Sequence, residues 1–348
     1  MLTDIFSFRY AKRQIWKDYS ESERRLIIQT FNLAKELAPY YNSEGKESPI
    51  NKQFWKGVHD RISNELGLPS LTQLYYTTKV GMGVYEREET RAFTMDFVCQ
   101  TWAQAFSTDA GGVDAFIKNR ISLIEIVFRL KEEELRKQNA ELPGKIQEAR
   151  NRPQRGLRVP GDPGDGLTAW NKVANDNFSS KVEELNTRFR QAGCQLHYHN
   201  GFVQISSDPK VEIEIENPFW ELVADPMWKN VDTDMKESLD LRDSGGRDPA
   251  FYAARALESA IKIVSDKRGV TTGGEKSAYN YIDNLSSKRG GNFLAGWEAQ
   301  FLKDFFDKIR NPFGHGPGSA EMPSLTGEQT NWAIETCMVW TKSILKRL

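Results

Sequence analysis

From Pro143 to Gly166 the chain drops the apolar periodicity that runs on either side of it. Pro143, Pro153, Pro160 and Pro163 stand among glycines and the basic run Arg150, Arg152, Arg155 and Arg158. Proline removes a backbone donor and fixes φ, and glycine raises the entropy lost on ordering, so the tract reads as a linker. It sets the organisation of everything else. Residues 1–142 are expected to form a helical N-terminal domain, 143–174 the linker, 175–216 a small region of helix and β-strand, and 217–348 a helical C-terminal domain. The arginines carry the charge to follow a phosphate backbone, yet a solvated, protease-sensitive connector is the plainer expectation. A length of 348 residues exceeds one ordinary domain and agrees with such a division.

Charge narrows the classes of partner. Lys plus Arg (47) nearly cancels Asp plus Glu (48), so a nucleic acid must be held by a local patch and not by the global field. Hydrophobic residues at 39% and aromatics at 11% suffice for packed cores and exclude a disordered chain. Cys99, Cys194 and Cys337 lie far apart without metal spacing and read as reduced thiols. Asp4, Arg9, Lys12 and Arg13 exclude a signal-peptide apolar core, and no apolar run is long enough to span a bilayer. A soluble cytoplasmic protein is expected, with no membrane contact, no metal and no cofactor.

Helical spacing dominates the first 140 residues. Ser20 and Glu23 have the form of a capping box ahead of Leu26, Ile27, Phe31, Ala34 and Leu37. Phe54, Val58, Ile62 and Leu66 follow at i, i+4 spacing with Gly67 as C-terminal cap. Phe93, Phe97, Trp102 and Phe106 suggest a third helix, and Val113 to Lys137 a long fourth. His59, among charged neighbours, is expected on the solvated face, and Gly81-Met82-Gly83 lacks the third glycine of a dinucleotide fingerprint and reads as a turn.

Beyond the tract, Asn177 to Ala192 reads as a short helix, and Asn200-Gly201 stands where a two-residue hairpin wants it. Val211, Ile213 and Ile215 alternate with Glu212, Glu214 and Glu216 as in a strand with one wet face. His197 and His199 share a strand face, but a pair with no third ligand is weak evidence for metal, and surface or packing roles are expected. The remainder is helical again. Asp248-Pro249 starts one helix, Tyr279 to Leu285 marks a second, Gly296 to Arg310 a third with Trp297, Phe301 and Phe305 on its buried face, and Thr326 with Gln329 opens the last.

The third of these helices ends in Arg310-Asn311-Pro312-Phe313-Gly314-His315-Gly316-Pro317-Gly318. Pro312 disfavours helical geometry at Asn311, and the glycines permit sharp turns and close approach to a ligand. Arginine offers a permanent fork of donors matched to phosphate oxygens, and histidine titrates near neutral pH. The plain alternative is that Arg310 caps its helix and His315 packs in the loop. Glu258 and Lys262, one helical turn apart, form either a surface ion pair or part of a groove.

An Arg-x4-His pair just past the third helix of a four-helix bundle resembles the HEPN superfamily. The string Arg310 to Gly316, with Ala256-Leu257-Glu258-Ser259-Ala260-Ile261-Lys262 ahead of Arg268-Gly269, is similar to abortive-infection proteins of the AbiJ-like group, and Leu2 to Arg9 resembles the N-terminal domain of one branch. The resemblance implies a mainly α fold: an N-terminal helical domain, a small β-hairpin insert and a C-terminal four-helix HEPN-like bundle. It implies a metal-independent endoribonuclease and toxin-like effector of antiphage abortive infection, with Arg310, His315 and Asn311 catalytic, and Glu258, Lys262 and Arg268 as substrate contacts. One chain offers one such histidine while RNA cleavage wants both a base and an acid, so a homodimer sharing the site across its axis is expected, with RNA as substrate and a phage trigger or an antitoxin as further partner. Two other readings stay open: a non-catalytic RNA- or nucleotide-binding module, and an adaptor acting through its N-terminal helices.

Overall fold

Ser20 begins the first long helix as expected: its hydroxyl accepts from the backbone of the first turn while Glu23 reaches back to the Ser20 N–H at 2.8 Å. The computed structural model describes residues 5–81, 86–107, 111–151, 162, 164–205, 208–314 and 324–348, and it is mainly helical. Two compact units part between Val203 and Gln204.

In the first unit, α1 (Phe6–Arg9) and α2 (Glu21–Leu37) are followed by α3 (Pro49–Glu65), which stops before Gly67 at φ 66°. The antiparallel strands β1 (Tyr75–Val80) and β2 (Arg87–Ala92) pair Tyr75 with Ala92 and Val80 with Arg87. Then come α4 (Met95–Gln104), α5 (Gly112–Asn151), α6 (Asp165–Gln191) and the hairpin of β3 (Leu196–His199) and β4 (Phe202–Ile205). Asn200 at φ 42° and Gly201 at φ 89° make the turn that Asn-Gly predicts.

The first half of α5 is the spine of this unit, buried almost continuously from Phe116 to Phe128. Glu125 lies within that run with no exposure. Two nitrogens of Arg9 reach it at 3.1 and 2.6 Å, Arg129 at 2.6 Å and the Val203 N–H at 2.8 Å. Burial alone would raise the Glu125 carboxyl, but the guanidiniums and the amide hold it below its ordinary value.

Several expectations need correction here. The first domain is not purely helical, because the Tyr- and Thr-rich alternation at 75–80 pairs as β1 with β2. Helix α5 does not end near Lys137: it passes through Pro143, which is exposed, and reaches Asn151. Helix α6 begins at Asp165 rather than Asn177, and Asn139 bonds Asn171 and Asn175 across the two helices at 2.7–3.0 Å. Of the basic run, Arg150 pairs with Asp162 at 2.5 Å, while Arg152, Arg155 and Arg158 lie outside the described residues. His59 is buried and not solvated; its Nε2 accepts from the Leu71 N–H at 3.4 Å and its Nδ1 lies 3.0 Å from Asp60. Phe97 and Phe106 are exposed. Gly81 has φ 110°, and Met82 and Gly83 lie outside the described residues. His197 and His199 are buried with their rings 5.8 Å apart, a packing role.

The second unit opens with α7 (Pro209–Val211), which widens into a π-helical turn over Glu212–Glu216 and continues as α8 (Asn217–Val223). The strand expected at Val211–Glu216 is therefore absent. Burial is also inverted, with Glu212 and Glu216 inside and Ile213 exposed. After a short 3-10 turn at Pro226–Trp228 come α9 (Lys229–Ser244), α10 (Pro249–Lys267), α11 (Ala278–Ser286) and α12 (Gly296–Phe305). A second π turn at Phe306–Arg310 leads into α13 (Asn311–Gly314), and α14 (Gly327–Lys346) closes the unit behind the Thr326–Gln329 capping box.

Helix α10 is central. Ala250, Ala253, Ala254, Ala256 and Ala260 let its neighbours approach closely, and it packs against α9, α14, α11 and the second π turn. Leu257, Ile261 and Val264 form the core with Met235 and Leu239 of α9 and Ile334 and Met338 of α14. The sequence reading did not include α9. Trp297 and Phe301, expected inside, are exposed, and α12 is buried through Ala299, Leu302 and Phe305 instead.

Candidate functional site

Arg310 owes its position to the wide turn before it. The Asn311 N–H donates to the Phe306 carbonyl, five residues back, and Asn311 is helical at φ −65°, ψ −41°. The expectation that Pro312 ends the helix at Asn311 is thus wrong: the chain stays helical to Gly314. A proline inside an α-helix clashes with the carbonyl four residues back and leaves it without a donor. Widening the turn moves that carbonyl away and lets the helix go on.

The guanidinium of Arg310 lies over α10. Its Nη2 is 3.2 Å from Glu258 Oε2, and Lys262 Nζ is 2.8 Å from Glu258 Oε1. Glu258 is buried, with 8% of its surface exposed, and so sits between two cations that reach further towards solvent than it does. Burying a carboxylate is costly unless it is paired, and here two charges do so. The Phe251 ring lies 5.8 Å from the Arg310 guanidinium carbon, and Nε of Arg310 is buried without a hydrogen-bond partner among the described residues. Gly314 packs closely on the same two side chains: a Cβ there would stand 3.3 Å from the Phe251 ring and 3.5 Å from Arg310 Nη1.

The fold thus joins Arg310, Glu258 and Lys262 in one cluster, with Asn311 half-buried beside them. It does not bring Arg268 there. Ten residues beyond Glu258 along α10, at about 1.5 Å per residue, Arg268 is about 15 Å away, stacked 4.4 Å from the centre of the Phe293 ring. His315 lies outside the described residues, as do Gly316, Pro317 and Gly318. Phe251, two residues after Pro249 in the first turn of α10, reads in the sequence as part of that helix's apolar face; its approach to Arg310 was not legible. What the cluster offers chemically is an excess of positive charge, two partly exposed cations to one buried carboxylate, held between α10 and the second π turn. Such a group suits an anion of phosphate type.

Among the described residues no group of three or more His, Cys, Asp or Glu is placed to hold a metal ion, and no helix is long and apolar enough to cross a membrane. Compared with known proteins, residues 4–221 match a family described as AbiJ N-terminal domain 4. No curated protein and no solved structure matches the chain. The matched stretch runs into α8 and leaves α9 to α14, with the Arg310 cluster, outside it.

Proposed function

The chain belongs to the AbiJ N-terminal domain 4 family of abortive-infection proteins, and from that premise we propose that its C-terminal unit is a HEPN-type, metal-independent endoribonuclease acting as a toxin-like effector of antiphage defence. One observation carries the reading: Arg310, paired with the buried Glu258 of the central helix, which also holds Lys262, precedes His315 by five residues. In the proposed reaction a base takes the proton of an RNA 2'-hydroxyl, and the 2'-oxygen attacks the adjacent phosphorus. The 5'-oxygen then leaves with a proton from an acid, giving a 2',3'-cyclic phosphate and a 5'-hydroxyl. His315 serves as base or acid, and Arg310 and Lys262 stabilise the phosphorane charge. Asn311 bonds a phosphate oxygen or orients His315.

The second histidine comes from another copy of the chain. Supporting this is an aromatic ridge on α12 and α14. Trp297 is 70% and Trp332 51% exposed, Phe301 and Val339 are exposed as well, and Trp340 bridges Trp297 and Phe301 at 6.4 and 5.3 Å. With aromatic side chains burying about 150–250 Å² each, the ridge presents roughly 400 Å² of apolar surface. That is about half of the 800 Å² or so that each partner gives to a standard interface, enough for its core with a polar rim around it.

The test is cleavage of a mixed RNA pool by the full chain in EDTA, with end-group analysis. His315→Ala and Arg310→Ala should each lose about 10²- to 10⁴-fold in rate. Absence of cleavage by the wild-type protein, or wild-type rates in His315→Ala, would overturn the proposal; RNA binding without cleavage would point to a binding module instead.

A further inference from the structure

One end of the second unit gathers six cations from three separate stretches of chain. Lys267 and Arg268 come from the end of α10, Lys288 and Arg289 from the loop after α11, and Lys346 and Arg347 from the end of α14; all six are exposed. Phe293 organises them. The guanidinium carbons of Arg268 and Arg347 lie 4.4 and 5.4 Å from the centre of its ring, and Arg268 Nη2 reaches the Gly290 carbonyl at 3.4 Å. Gly290 lets the loop close, since a Cβ there would stand 2.3 Å from the Asn284 carbonyl oxygen, and Gly291 follows at φ 70°. The loop that carries Lys288 and Arg289 is thereby fixed against the end of α10.

Basic residues at helix C-termini ordinarily complement the dipole, and three helices end here. That accounts for little of the charge, because each terminus supplies about −0.5. Nearby carboxylates offset part of this charge: Glu298 pairs with Arg347 at 3.1 Å, while Asp266, which accepts from the Thr271 hydroxyl at 2.5 Å, and Glu275, which accepts from Thr272 and Asn284, pair with none of the six. Lys267, Lys288, Arg289 and Lys346 have no carboxylate partner among the described residues. With the chain near neutral overall, so local an excess is a segregated patch of the kind that holds a polyanion.

We infer that this end of the bundle binds the phosphate backbone of single-stranded RNA as a second anchoring site, about 15 Å along α10 from the Glu258–Arg310 cluster; the choice of polymer rests on the ribonuclease reading. The Phe293 ring is already covered by guanidinium groups, so the patch grips phosphates without reading bases. It therefore adds affinity and direction but little sequence preference. Lys262, the member of that cluster nearest to Arg268 along α10, lies on the way from one site to the other.

The experiment uses the full chain carrying Arg310→Ala, so that binding is read without cleavage. A fluorescent 20-nucleotide single-stranded RNA is titrated by anisotropy from 50 to 300 mM KCl, with and without Lys288→Gln and Arg289→Gln. Both positions are exposed, and an unchanged circular dichroism melt confirms the fold. Each lost phosphate contact lowers the salt slope by about 0.7 for a single strand. The double change should make the slope shallower by about 1.4 and weaken binding about tenfold at 100 mM. Equal slopes and affinities with and without the double change, or full displacement of RNA by millimolar inorganic phosphate at constant ionic strength, would overturn the inference. A wild-type protein that binds with the expected slope yet never cleaves would refute the ribonuclease reading and leave this one standing.

Discussion

Replacing Glu216 by glutamine should stabilise the protein at pH 8 and leave it almost unchanged at pH 4. Glu216 is buried at the end of the first π turn, with 5% of its surface exposed. Burial pushes its carboxyl up; Arg242 of α9 opposes, and Glu212, Asp243 and Glu335 add to the rise, leaving it at about 7 against an ordinary 4.5. A raised carboxyl is protonated in the native state over a pH range where the unfolded chain has already released the proton. Stability from this group is therefore full below about pH 4.5 and is lost as pH rises through about 7. A rise from 4.5 to about 7 corresponds to about 3.5 kcal/mol at most, at about 1.4 kcal/mol for each tenfold change in proton affinity. Glutamine keeps the shape and stays neutral, so the difference between variant and wild type should grow from near zero at pH 4 to a few kcal/mol at pH 8. Urea unfolding at steps of pH measures it, and groups common to both proteins cancel in the difference. Parallel stability curves across that range would refute the reasoning. The same variant bears on the proposed ribonuclease, because Glu216 and an imidazole titrate in one range, so a rate–pH profile measured without Glu216 tests the proposed role of His315 more cleanly.

Glu125→Ala leaves Arg9 and Arg129 buried around an empty place, and should cost about 3–5 kcal/mol, read as a fall in the urea midpoint; a loss under 1 kcal/mol would mean that the cluster does not hold the first unit together. Trp297→Asp with Phe301→Ser puts polar groups into the aromatic ridge and tests the proposed dimer: wild type should run as a dimer and the double variant as a monomer in light scattering, with unchanged circular dichroism. Persistence of the dimer in that double variant would place the interface elsewhere.

Much of the helical content was legible because its signals are local. Ser20 with Glu23, Thr326 with Gln329 and Asp248-Pro249 each specify a helix start within four residues, and each is found where expected. What failed depended on tertiary context. The alternating Val211–Glu216 segment has the period of a strand, but Glu212 and Glu216 are turned inwards, with Arg242 opposing the rise of the Glu216 carboxyl. Trp297 and Phe301 keep helical spacing on a face that the described residues cover only in part, through Trp340, so the period was legible while the face turned to the core was not. Helix α9 carries so many charged residues that its apolar stripe of Val231, Met235 and Leu239 is thin. Of the candidate site, Arg310, Glu258 and Lys262 were nameable one by one, whereas their convergence needed the packing of α10 against the second π turn.

That turn has a signal which the sequence displays twice. Asn217-Pro218-Phe219 and Asn311-Pro312-Phe313 share three residues, and each is preceded by a five-residue π turn in which the asparagine N–H donates to the carbonyl five residues back. The common cause is the proline, which offers no donor to the carbonyl four residues before it. In the first copy that carbonyl belongs to Glu214, and Lys342 of α14 fills the gap at 2.8 Å. In the second copy it belongs to Lys308, next to the Arg310 cluster. The extra residue also decides where Arg310 points. In an unbroken α-helix Arg310 would follow Leu302 and Phe306 at successive four-residue steps, straight into the core, where an arginine without a full set of partners is costly. Widening the turn backs the chain off by part of a revolution and leaves Arg310 at the rim, 29% exposed and within reach of Glu258. The proline that looked like a stop is what delivers the arginine to the edge of the bundle.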